Sequence, residues 1–66
     1  HKLTGRETKA EVLRIAIRKE KDAIAYYTGL QGVARRVEDV EALGKIIEEE
    51  EKHVRILTQS LEQILQ

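Results

Sequence analysis

Residues Leu43 to Leu65 read LGKIIEEEEKHVRILTQSLEQIL. Wound at about 100° per residue, this stretch places Leu43, Ile46, Ile47, Val54, Leu57, Leu61, Ile64 and Leu65 on one stripe of a helix. Two polar residues share that stripe, Glu50 and His53. The acidic run Glu48 to Glu51 divides by angle. Glu48, Glu49 and Glu51 point about 100° or more away from the stripe, and only Glu50 points into it. A carboxylate in the middle of an apolar face is costly to bury unless something positive meets it.

The same pattern occurs once more, upstream. Between Leu13 and Tyr27, the residues within about 70° of Glu20 are Leu13, Ala16, Ile17, Ala23, Ile24 and Tyr27, all apolar or aromatic. Two segments of the form T-x-x-E, Thr4–Glu7 and Thr8–Glu11, are possible capping boxes for this first helix. Thr8 is the favoured start, because the apolar period begins just after it. The expected elements are a helix over about 9–34, a turn over about 35–38 and a helix over about 38–65. Gly29 and Gly32 weaken the last turns of the first helix, or else permit close backbone approach. Glu38, Asp39 and Glu41 suit the positive N-terminal end of the second.

Composition removes several classes of function. The 66 residues include no Cys, Pro, Met, Trp or Phe. Absent cysteine excludes a disulfide framework, an iron–thiolate site and a Cys₄ zinc site. It fits a reducing compartment, so a cytoplasmic location is expected. Without methionine, residue 1 reads as a trimmed or processed end, and His1 is left out of the chemistry. Formal net charge is zero, which gives no case for a nucleic-acid partner. No apolar run approaches the roughly 20 residues that span a bilayer, so no membrane role is expected. The charge is nonetheless divided. Residues 6–36 hold eight Lys/Arg against four Asp/Glu, and residues 37–66 hold three against eight. The halves attract each other as a hairpin, though exposed pairs are each worth under about 1 kcal/mol.

Folding the chain back near residue 35 brings Leu13 opposite Leu57, Ile17 opposite Val54, Tyr27 opposite Leu43 and Leu30 opposite Val40. The apolar pairs fix that register, and it places Glu20 opposite Glu50. Each stripe is about 140° wide, broader than one partner helix needs. Small chains with an uncovered face generally oligomerise. The fold expected is therefore all-α: an antiparallel two-helix hairpin that dimerises into a four-helix bundle with two-fold symmetry, or into a higher homo-oligomer.

Glu50 and His53 form E-x-x-H, neighbours at i and i+3 on one helix face. Two-fold symmetry doubles every residue at that level, giving four carboxylates and two imidazoles. That set suits two divalent metals, which balance a charge of −4, and it matches the ligand set of di-metal carboxylate bundles. Taken singly, each residue has a plainer reading: Glu50 as part of a solvated charge run, His53 as a structural histidine, Glu20 as a buried acid with a cationic partner or a device for specificity. No Lys or Arg lies on the stripes to pair the acids. The expected metal ligands are Glu20, Glu50 and His53, holding two divalent ions per dimer, with Fe, Mn and Zn all compatible. Tyr27 lies about 10 Å along the axis from Glu20, and helical side chains lean toward the N-terminus. Its hydroxyl is therefore a candidate second layer to the site, with a core aromatic as the plain alternative; Tyr26 is expected at the periphery. Three functions compete on this basis: a di-metal enzyme, a non-catalytic metal-binding module, and a self-associating hairpin whose polar cluster sets register only.

Glu20-x-x-Ala23-x-x-Tyr26-Tyr27, followed by Glu50-x-x-His53 and Leu57, resembles one helical hairpin of the rubrerythrin branch of the ferritin-like superfamily. The likeness covers roughly residues 10–60. It implies a non-haem di-iron site that reacts with O₂ or peroxide, or oxidises Fe²⁺, with Glu20 and His53 as terminal ligands and Glu50 bridging. Family members usually supply four helices from one chain. This chain supplies two, and in that respect is similar to the two-helix encapsulated ferritins, which build their iron site across a subunit interface. Ala23 stands where rubrerythrins typically carry an additional glutamate linked to their peroxide reductase cycle. Their cysteine-rich electron-transfer domain has no counterpart here, so the likeness implies an external electron donor or ferrous iron itself as the source of electrons.

Overall fold

The computed structural model describes residues 5–66. Helix α1 spans Gly5–Val33 and helix α2 spans Val37–Leu65. They lie against each other as a hairpin joined by residues 34–36. The molecule measures 51 × 21 × 11 Å. Its least dimension equals one helix diameter of about 10–12 Å, so this is a single layer two helices wide. Among the described residues neither helix is long and apolar enough to cross a membrane.

A layer one helix thick can bury little, and only Ala10 among the described residues is buried, at 3% exposure. The stripe residues are instead half-buried: Leu13, Ala16, Ile17, Ala23, Ile24 and Tyr27 on α1, and Leu43, Ile47, Val54, Leu57, Leu61 and Ile64 on α2. One edge of the α2 stripe faces α1. The Gln31 side-chain amide, reaching from α1, donates to the Val40 carbonyl at 3.0 Å, and a Cβ at Gly44 would stand 3.4 Å from the same Gln31 nitrogen. The opposite edge carries Ile46, 39% exposed, and His53, and it is open.

The structure corrects the expected start of the first helix. It begins at Gly5, four residues before position 9, and Thr8 lies inside it rather than at its cap. The alternative box begins at Thr4, outside the described residues. The extra turn is held by tertiary contact. Arg6 donates from Nε to the Ile64 carbonyl and from Nη2 to the Gln66 carbonyl. These are among the carbonyls that a helix C-terminus leaves without intrahelical partners. The helix ends at Val33, so Ala34 belongs to the connection. At the start of α2, Arg36 has extended backbone (φ −99°, ψ 136°) and no capping side chain. Its carbonyl accepts from the amides of Asp39 and Val40, both at 3.1 Å. Glu38 and Asp39 sit in the first turn, where the helix dipole favours anions.

Gly29 and Gly32 do not serve close approach within the hairpin, since a Cβ at either position meets nothing within 4 Å. The residue that ties the helices together near the turn is Gln31. Replacing it with alanine removes one part-buried hydrogen bond between the helices. Urea unfolding of Gln31→Ala is expected to show a loss of about 1 kcal/mol with an unchanged slope.

Candidate metal centre

Helical spacing brings Glu50 and His53 to one face of α2, three residues apart, and the hairpin register brings Glu20 of α1 to the same level. One ligand atom from each of Glu20, Glu50 and His53 lies within 4.8 Å of the others. His53 Nδ1 stands 3.3 Å from Glu20 Oε2 and 3.7 Å from Glu50 Oε2. The cluster therefore crosses between the helices and converges on the imidazole.

Chemically the three residues form a coherent donor set. The Nδ1 position donates a proton to a carboxylate in one tautomer and offers a lone pair to a cation once that proton is lost. Two donors on one ion with bonds of roughly 2.1 Å stand at most about 4.2 Å apart. The separations from His53 already meet that limit, and closing the widest pair needs only a small side-chain adjustment. Carboxylate oxygen with imidazole nitrogen suits Fe²⁺, Mn²⁺ and Zn²⁺. Glu48, Glu49 and Glu51 take no part in the cluster. Glu49 instead faces outward, where Lys52 Nζ lies 3.3 Å away in an exposed pair.

Exposure shows where the cluster sits. The side chains of Glu20 and Glu50 are 28% and 21% exposed, whereas that of His53 is 52% exposed. The carboxylates lie in the seam between the helices, and the imidazole stands at the open edge, two turns along from Ile46. One side of the cluster is thus walled by the hairpin and the other is uncovered.

Tyr27 is half-buried on the same stripe, but no hydrogen bond joins it to the cluster among the described residues. Its ring meets that of Tyr26 edge-on, with centroids 5.5 Å apart and planes at 68°. Tyr26 itself is 64% exposed. Arg6 and Gln31, which the stripe pattern did not single out, hold the two ends of the hairpin and so fix the level of Glu20 against Glu50.

A family model described as rubrerythrin matches residues 11–66. No curated protein and no solved structure matches the chain.

Proposed function

This chain belongs to the rubrerythrin family, which is ferritin-like and iron-binding, and from that premise we propose that it is a di-iron protein whose centre is shared between two copies. The observation that carries the proposal is the one-sided cluster. Glu20, Glu50 and His53 converge, yet His53 is half exposed on an edge that also carries Ile46. A second hairpin laid on that edge by two-fold symmetry covers the apolar stripe and supplies a second Glu20, Glu50 and His53. The result is a four-helix bundle with four carboxylates and two imidazoles at one level, enough for two divalent ions.

Bound iron would supply one-electron chemistry toward O₂ or peroxide. The residues have separate tasks. Glu20 and Glu50 would hold the cations and neutralise their charge. His53 contributes a neutral donor at the open edge, and its place on the same face as Glu50 fixes its direction. Leu57, Val54 and Ile47 above and below the cluster keep water from it once the second copy is in place. The activity proposed is oxidation of Fe²⁺, or reduction of O₂ or peroxide, with electrons from the ferrous iron or from an external donor.

The test is anaerobic loading with Fe²⁺ followed by stopped-flow mixing with O₂ and, separately, with H₂O₂. The expected result is one iron per chain on a dimer, or on an assembly built from dimers, and a fast absorbance change with at least one oxidant. A monomeric protein that holds well under one iron per chain would sink the proposal. Full loading with no oxidation by either oxidant would leave a binding module in place of an enzyme.

A further inference from the structure

A second seam runs along α1, about 130° round the helix from Glu20. It consists of Val12, Ile15, Lys19, Asp22, Tyr26, Gly29 and Val33, alternately three and four residues apart, which is the a/d spacing of a coiled coil. It faces away from the metal cluster, and its apolar members are uncovered: Val12 is 59% exposed, Ile15 41%, Tyr26 64% and Val33 75%. Among the described residues the outer face of α2 has no comparable seam, and Ile56 there has Glu49, Lys52, Gln59 and Gln63 for neighbours along the helix.

We infer that this seam is a self-association interface, in which α1 of a second copy lies antiparallel along α1. In an antiparallel pair each a position meets a d position of the other helix, so facing residue numbers have a constant sum. About a two-fold axis between Glu20 and Lys21, Lys19 faces Asp22 of the second copy and Asp22 faces its Lys19. On either side Ile15 faces Tyr26, and Val12 faces Gly29. Charge meets opposite charge at the centre, and apolar meets apolar in the flanking layers. Beyond these, the smallest residue stands opposite a β-branched one. Gly29 has nothing near its missing Cβ within the hairpin, and the seam gives it a role by admitting Val12 of the neighbour. A parallel arrangement would instead stack Lys19 on Lys19 and Asp22 on Asp22. The interface is isologous and separate from the edge that carries His53, so the two contacts together link site-sharing dimers into larger assemblies.

Sedimentation of the metal-free and metal-loaded protein tests this. The wild-type chain is expected to form species larger than a dimer. Ile15→Glu, at an exposed position that leaves the hairpin helical by circular dichroism, is expected to reduce them to the dimer with iron loading intact. Lys19→Asp places like charges at both central contacts and is expected to weaken the larger assembly roughly tenfold or more. Asp22→Lys is expected to do the same, and the double exchange Lys19→Asp/Asp22→Lys to recover most of the loss. A wild-type dimer that Ile15→Glu converts to monomer supports the seam but removes the shared-site bundle. An assembly state that neither Ile15→Glu nor Lys19→Asp alters overturns the seam and leaves the metal centre untouched. Failure of the double exchange to restore association overturns the antiparallel register.

Discussion

Glu50→Ala is expected to abolish iron binding, lowering affinity at least about 100-fold. Losing a group that merely orients a metal ligand already costs about 10–100-fold, and each substitution at this position removes two ligands from the proposed shared centre. Glu50 is the least exposed member of the cluster, at 21%, and its Oε2 lies 3.7 Å from Nδ1 of His53 on its own helix. Its loss leaves one carboxylate and one imidazole per chain. Isothermal titration with Mn²⁺, which avoids oxidation, measures the effect directly. Glu49→Ala is the matched control: it removes an adjacent acid that pairs with Lys52 at the surface, and it should leave binding within about twofold, since exposed pairs contribute under about 1 kcal/mol. Equal losses from the two substitutions would mean that the acidic run attracts cations without a site.

Thermal stability should rise steeply with metal and, in its absence, should rise when the acids are removed. A ligand that binds only the folded state stabilises it by about 2.7 kcal/mol at a hundred times its dissociation constant. For a domain this small that corresponds to an increase of about 10 °C or more in Tm. Without a cation the carboxylates brought to one level repel each other and occupy a face that is otherwise apolar. Glu20→Leu and Glu50→Leu are therefore expected to stabilise the metal-free protein while erasing the metal-induced increase. Differential scanning fluorimetry with and without Mn²⁺ reads both signs in one experiment. A metal-free Glu50→Leu protein that melts well below the wild type would show that the carboxylate has a structural partner and is not waiting for a cation.

Much of the site was legible in the sequence because helical period and hairpin register are both consequences of backbone geometry. Glu50 and His53 share a face whenever that segment is helical, and the apolar stripes leave few ways to slide α1 along α2. The convergence of Glu20 with them follows, and the structure places the three together. The start of α1 was not legible in the same way. A local signal, Thr8 with Glu11, competed with a contact across the whole hairpin, namely Arg6 with the Ile64 and Gln66 carbonyls beside buried Ala10. Capping is worth about 1 kcal/mol, and contacts between distant residues override it. Gln31 escaped for a similar reason: its partner is a backbone carbonyl, which leaves no mark in the side-chain pattern. Of the two readings of Gly29 and Gly32, close approach finds no neighbour within the hairpin, because a missing side chain signals room without saying which neighbour uses it. Within the hairpin it is Gly44, not Gly29 or Gly32, that lies close to the opposite helix.

The short connection at 34–36, with Gln31 bridging to Val40 beside it, has a kinetic consequence. Contacts between the helices can build outward from the turn, each new pair closing a loop only slightly larger than the last. Helical topologies rich in such local contacts fold in microseconds to milliseconds. Encounter between two chains is second order, and at low concentration it is far slower than that. If the metal centre is shared as proposed, each chain therefore folds first and waits for its partner. Under the shared-site reading, the delay between synthesis and a working centre is set by how many copies are present, and halving the concentration doubles the wait for each chain.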